Sequence, residues 1–253
     1  MEIPHILEEL AYDLGELPRE AIESAIAKRT QITPYLLQIL EDAISRIDDI
    51  IEDDNYQGHL YAMYLLAQFR EERTFPYLVQ LFSFPGEIPH AVAGDVLTED
   101  LSRILASVCG NRVEVLYTLI ENPSINEYVR AACQASLVIL VGCGTLSRTK
   151  IIDYFKTLFE GKLERSPSFA WDNLIACCCS LYPEELYPYI RKAFDDALIN
   201  TTFINLEDVR AILTEEKQSS LFRLFQNAEL IDDTVSEMEK WLSAECLFKC
   251  CGD

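Results

Sequence analysis

Basic residues are scarce in this chain: 21 Lys and Arg stand against 42 Asp and Glu, a formal net charge of −21. Neutralising nucleic-acid phosphates needs clustered Lys and Arg, so a nucleic-acid partner is not expected. An anionic membrane surface is disfavoured for the same reason. Glycine and proline are few, nine and ten in 253 residues, so little interrupts regular structure. Histidine occurs three times, and neither a Gly-rich phosphate loop nor a nucleophile elbow is present. Long apolar runs are missing too. The longest, around Ala135–Cys143, is far short of the roughly 20 residues that span a bilayer. The start, MEIPHILEEL, has no basic segment followed by an apolar core, so no export signal is expected. Nine cysteines, three of them consecutive (Cys177, Cys178, Cys179), do not make a regular disulfide framework. Reduced thiols and a cytoplasmic location are the expectation.

What is present is helical periodicity. Hydrophobic residues make up 49% of the chain, enough for a substantial core. Leu36, Leu40, Ala43, Ile44, Ile47 and Ile51 recur at helical spacing. Thr33-Pro34 reads as an N-cap with proline at the first helical position. Gly58–Phe82 reads as a nearly all-apolar helix, a break and an amphipathic helix. SFPGEIPH (83–90) reads as a loop. Gly94–Val108 is expected to be one helix with Leu97, Leu101, Ile104, Leu105 and Val108 buried. Ser124 and Glu127 have capping-box spacing before an apolar helix over Ile125–Val141, and Asn205 with Asp208 has the same spacing. The second helices of successive units align through Leu78, Leu116, Phe155 and Ile190, with separations of 38, 39 and 35 residues. That period fits stacked helical hairpins of about 40 residues. No strand-like alternation stands out.

The run Val129-Arg130-Ala131-Ala132-x-x-Ala135, followed by IIDYFKTLF, resembles a HEAT repeat. The segments GHLYAMYLLAQFRE, GDVLTEDLSRILASVC, SFAWDNLI, LYPEELYPYIRKAF and LIDDTVSEMEKW together resemble the bacterial family called domain of unknown function 1186. The resemblance covers most of the chain. It implies an α-solenoid and brings no activity with it. Some relatives in that family carry a small zinc motif ending in a Lys-Cys-Cys-Gly-like sequence. Phe248-Lys249-Cys250-Cys251-Gly252 is similar to that ending, but the motif's upstream Cys-x-Cys half is absent.

Candidate functional residues follow from these placements. In HEAT-like units the Val-Arg-x-Ala helix usually lines the concave face, so the resemblance puts His59, Asp95, Glu99, Arg103, Arg130, Trp171 and Asp172 on that face. Asp95, Glu99 and Arg103 are spaced i, i+4, i+8, on the side of one helix opposite its apolar stripe. Each residue also has a purely structural reading: Glu99–Arg103 as a helix pair, Arg130 as a tie between units, His59 as a packing histidine, Trp171 as core. A hydrolase would use Asp95, Glu99 and Asp100 with His59 as base. Asp53-x-Asn55-x-Gln57-Gly58 begins like an EF-hand loop, but its twelfth position is Tyr64 rather than Glu. Cys246, Cys250 and Cys251 are weak candidates for zinc. Cys177–Cys179 read as small core hydrophobes.

The chain is therefore expected to be all-α, an α-solenoid (α-α superhelix) of HEAT/armadillo-like hairpins. Residues 1–55 form an acidic N-terminal helical pair, with 14 Asp/Glu against 4 Lys/Arg. HEAT-like repeats occupy 56–200, and a helical cap with the Cys-containing tail occupies 201–253. The expected function is a scaffold that binds a protein or peptide of basic character in its concave groove, through His59, Asp95, Glu99, Arg103, Trp171 and Asp172, without a cofactor. The alternative is a metal- or ligand-dependent enzyme in the same groove.

Overall fold

The computed structural model describes residues 1–53 and 55–241. The described chain is helical, with a single antiparallel bridge between Tyr12 and Tyr56. In order the helices are α1 (Ile3–Ala11), α2 (Arg19–Ala27), α3 (Arg29–Ser45), α4 (Ile47–Glu52), α5 (Gly58–Gln68), α6 (Phe75–Leu81), α7 (Ile88–Ala93) and α8 (Val96–Glu99). They continue with α9 (Leu101–Val108), α10 (Val113–Glu121), α11 (Glu127–Gly142), α12 (Arg148–Thr157), α13 (Phe169–Ser180), α14 (Tyr187–Asp195), α15 (Leu206–Leu213) and α16 (Lys217–Asn227). A last helical segment runs from 234 to 241.

The core follows the apolar pattern. α3, α5, α9, α11 and α13 form a row in which each packs against the next. Within this row α5 and α11 are buried almost all round. α6 flanks the row against α3 and α9, α10 against α11, and α12 against α11 and α13. Leu78, Leu116, Phe155 and Ile190 lie on α6, α10, α12 and α14, and all four are fully buried. Cys177, Cys178 and Cys179 are buried within α13, where desolvation pushes all three thiols up, Cys177 and Cys179 to about 12. None of the three is a ready thiolate near neutrality.

Hydrogen bonds tie α5, α9, α11 and α13 in turn, and the flanking α12 to the end of α13. Tyr64 donates to Asp100 at 2.7 Å, and Ser136 to the Ser102 carbonyl at 2.9 Å. Gln134 donates to the Ala170 carbonyl at 3.1 Å, and Arg148 to the Leu181 carbonyl at 2.6 Å. Arg130 is buried and grips Glu164 and the Ile120 carbonyl, a structural tie. Four of the five helices of the row also end alike. Arg70, Gly110, Gly144 and Tyr182 follow α5, α9, α11 and α13, each with positive φ (55°, 54°, 74° and 60°). A left-handed residue satisfies the last carbonyls and turns the chain toward the flank.

Three sequence expectations are corrected. The third helix begins at Arg29, and Pro34 lies inside it. Arg29 anchors that start by donating to the Phe69 carbonyl and lying over the Phe69 ring, while Thr33 donates to the Arg29 carbonyl at 2.7 Å. The cap of α11 is Asn126, which accepts from the Tyr128 amide at 2.9 Å; Glu127 is drawn instead to the Phe169 amide. The expected helix over 94–108 is broken at Asp100 into α8 and α9, because the Asp100 carboxylate is turned inward to Tyr64 and Arg103. The Asn205–Asp208 box forms as expected.

Two clefts beside a self-docked C-terminal strap

After α16 the chain runs back across the row as a strap, residues 228–241. It crosses α11 at Gly142, where a Cβ would overlap the Ala228 side chain. Farther along, the Ile231 amide donates to Ser107 of α9 at 3.0 Å. Thr234 donates twice to Gln68 of α5, at 3.0 and 2.7 Å, and the Trp241 indole donates to the Tyr64 hydroxyl at 2.9 Å. Arg70 binds the Ile231 carbonyl at 2.6 Å and Asp232, and Arg19 reaches Glu239.

Arg103 is the hub of this docking. It donates to Glu237 at 2.8 and 2.7 Å, to Asp100 at 2.9 Å, and to the carbonyls of Glu229 and Leu230 at 3.3 and 3.2 Å. Burial would raise the Glu237 carboxyl, but the hydrogen bonds from Arg103 and Lys240 bring it below its usual range. Tyr64, buried and beside Asp100, is held far above the ordinary phenol range. This network is closed on itself.

The strap and α16 cover the C-terminal halves of α5, α9 and α11. The N-terminal halves stay open in two clefts, separated by α8. The first, of about 360 Å³, lies between α4, the start of α5, the α7–α8 turn and the 234–241 helix. His59 lines it and is only 2% exposed. Its Nε2 lies 2.7 Å from the Val92 carbonyl, which can only accept, so Nε2 carries the proton. Burial lowers its affinity for a second proton. Nδ1 is therefore an acceptor, and it has no partner among the described residues. Tyr56 stacks on the imidazole at 5.7 Å between centroids. Asp53 and Asp95 stand at the rim, and among the described residues no Lys or Arg lines the cleft.

The second cleft, of about 310 Å³, lies between α8, α11, α13 and the turn at Asn200–Phe203. Its floor is small, with Ser102, Ala131, Ala132 and Ala135, and one wall is a chain of aromatic rings. Tyr128 meets Phe169 at 4.8 Å and Phe169 meets Phe203 at 5.2 Å. Phe203 is 51% exposed at the mouth, and Glu99 supplies the negative edge.

The six sequence-derived residues are thus distributed rather than gathered. His59 and Asp95 share the first cleft, and Glu99 opens into the second. The carboxylates that a hydrolase would direct at one pocket are divided by α8. Arg103 is engaged with the strap. Trp171 is fully buried and donates to the Glu164 carbonyl at 2.8 Å. Asp172 is buried, which raises its carboxyl, and it accepts from the Asn200 amide at 2.7 Å. It therefore positions the turn that carries Phe203. The Asp53–Gly58 loop is tied to the end of α1 by the Asn55 and Ala11 carbonyls, which accept from the Asp13 and Gln57 amides at 2.9 Å each. Among the described residues no three His, Cys, Asp or Glu side chains group as for a metal ion. Cys246, Cys250 and Cys251 lie outside the described residues. No described helix is long and apolar enough to cross a membrane. Phe203, Trp241 and Glu237 escaped the sequence reading, because their places depend on chain reversals with no local signature.

Comparison with known proteins agrees with the length of the match rather than with any activity. An uncharacterized protein of Chlamydia muridarum (strain MoPn / Nigg) is 61% identical over 243 residues, 96% of this chain and 97% of its own length. An uncharacterized protein of Chlamydia trachomatis serovar D is 60% identical over 243 residues, 96% of each chain. No solved structure matches. The family model described as protein of unknown function (DUF1186) matches residues 1–245, and the chain belongs to that family.

Proposed function

We propose that this protein is a recognition module of the cytoplasm: a short α-solenoid of HEAT-like hairpins that holds a basic segment of a partner protein in the cleft between α8, α11 and α13. The observation that carries this reading is the division of one helix face. On α11, Ala131, Ala135, Val138, Ile139 and Gly142 form a single stripe. At its C-terminal end Gly142 already lies under Ala228, while Val138 and Ile139 face α16 across a further cleft of about 370 Å³. The N-terminal part of the stripe is open, with an exposed aromatic at the mouth. A surface that packs chain at one end is suited to packing chain at the other. Glu99 and the net charge of −21 favour a basic segment, and among the described residues no Lys or Arg lines this cleft to oppose it.

Photo-cross-linkers placed at Thr98 and at Phe203 test the reading in the native cell. Both should give the same discrete adduct, the cross-linked peptide should carry Lys or Arg, and Glu99→Lys should suppress it. A cross-linker at Gln80, exposed on α6, should give none. Adducts indifferent to Glu99→Lys, or no adduct at either cleft position, would overturn it.

A further inference from the structure

The first cleft asks for a ligand of its own. A neutral imidazole with one nitrogen satisfied and the other buried and unpartnered is costly unless something donates to it. The His59 Nδ1 is such an atom. Around it the cleft is apolar, with Ile51, Leu60, Val96 and Met238, and it carries two aromatic groups, Tyr56 and Trp241. Asp53 and Asp95 add negative charge at the rim, and neither has an ion-pair partner among the described residues. The Asp53 carboxylate accepts from the Asn55 amide at 3.2 Å. Among the described residues the site therefore offers a hydrogen-bond acceptor, aromatic rings, carboxylates and an apolar wall, and no cation. An anion would meet only like charge. Among the described residues a metal ion would find too few ligands.

We propose that the His59 cleft binds an organic cation on an apolar stem, an amine or guanidine whose N–H donates to Nδ1 while its charge is shared by Asp53 and Asp95. Aromatic rings stabilise such a cation as well. The volume is within the range of small-ligand sites. This site lies across α8 from the partner cleft and does not rest on the reading given above. The cation can come from a free amine or from a Lys or Arg side chain, and the two share this chemistry.

Titration calorimetry of the full chain tests the proposal with 4-phenylbutylamine, 4-phenylbutanol and 4-phenylbutyrate. The amine should bind one site, about tenfold or more tighter than the alcohol, and the carboxylate should not bind. Asp53→Asn with Asp95→Asn, both at the rim, should weaken the amine at least about tenfold and bring it toward the alcohol. Ala91→Trp, at an exposed position on the lip, should block binding without removing a core contact. Glu99→Lys and Phe203→Ala should leave it unchanged, which separates this site from the partner cleft. A blocked Leu-Lys-Leu peptide binding more tightly than the amine would assign the cation to a protein side chain. Binding of the amine alone would assign it to a small molecule. Equal binding of all three probes, or amine binding indifferent to both the double variant and a folded Ala91→Trp, would overturn the proposal.

Discussion

Arg103 shows how a residue chosen for function can turn out to serve docking. Its guanidinium is largely enclosed, and so are Asp100 and Glu237. Removing the cation would leave two buried carboxylates facing each other. Arg103→Met should therefore destabilise the protein by about 3 kcal/mol, read as the shift of the urea unfolding midpoint. Adding Glu237→Gln should recover part of the loss, since one of the stranded charges is then gone. Acid sensitivity has a second identifiable source. Arg148 donates to both oxygens of Glu185, at 2.7 and 2.6 Å, and holds that carboxyl down from 4.5 to about 2, with help from Lys217. As pH falls the unfolded chain takes up the Glu185 proton first. The contribution is complete above about pH 4.5 and is lost progressively toward pH 2. Glu185→Gln should flatten stability across that window and change little at pH 7 relative to pH 5. The effect is modest because Glu185 is half exposed.

Among the elements, Gly142 marks a close approach between α11 and the strap. It ends α11, and the strap passes over it so tightly that a methyl group would overlap Ala228. Gly142→Ala should cost between about 1 and 3 kcal/mol. Hydrogen exchange should localise the damage: amides of 228–235 should exchange faster, while those of α12 on the flank keep their protection. The same contrast explains what was legible in the sequence. α5, α11 and the buried positions Leu78, Leu116, Phe155 and Ile190 follow from helical periodicity, because burial there depends on neighbours within one or two helices. The break at Asp100 was not legible, since an aspartate in a helical stretch reads as solvated until Tyr64 and Arg103 are known to surround it. Neither were the left-handed residues Arg70 and Tyr182, where glycine would be usual. Their side chains justify the strain by contacts made far along the chain: Arg70 to the Ile231 carbonyl at 2.6 Å, and Tyr182 to the Leu213 and Glu215 carbonyls at 3.4 and 3.3 Å. Of the candidate site, His59, Asp95 and Glu99 line open clefts. The residues that shape those clefts with them, Phe203 and Trp241, are delivered by reversals of the chain that carry no periodic signal.

For the whole molecule, the strap changes how stability is shared. A row of helices in which each touches only the next can open from either end, with stability a sum of local terms. Here the strap joins α9 to α5 and, through Arg19 and Glu239, to α2, so both ends of the chain brace the same helices. Ile231 is the buried pin of that brace, fully enclosed with its amide on Ser107. Ile231→Asp puts a carboxylate in place of a fully buried apolar side chain, with the nearby Arg70 already engaged by Asp232, and should release the strap at a cost of about 3 kcal/mol or more. If the brace couples the ends, the intact protein unfolds in one transition by far-ultraviolet circular dichroism. The variant should then lose hydrogen-exchange protection in α2 and α5 before α13, and its transition should broaden or split. Uniform loss of protection along the row would instead mean that the helices cohere without the strap, and that Ile231 matters only where it packs. Because the strap also supplies Met238 and Trp241 to the His59 cleft, its release should abolish amine binding there while the cleft at Glu99 and Phe203, built without it, keeps its shape.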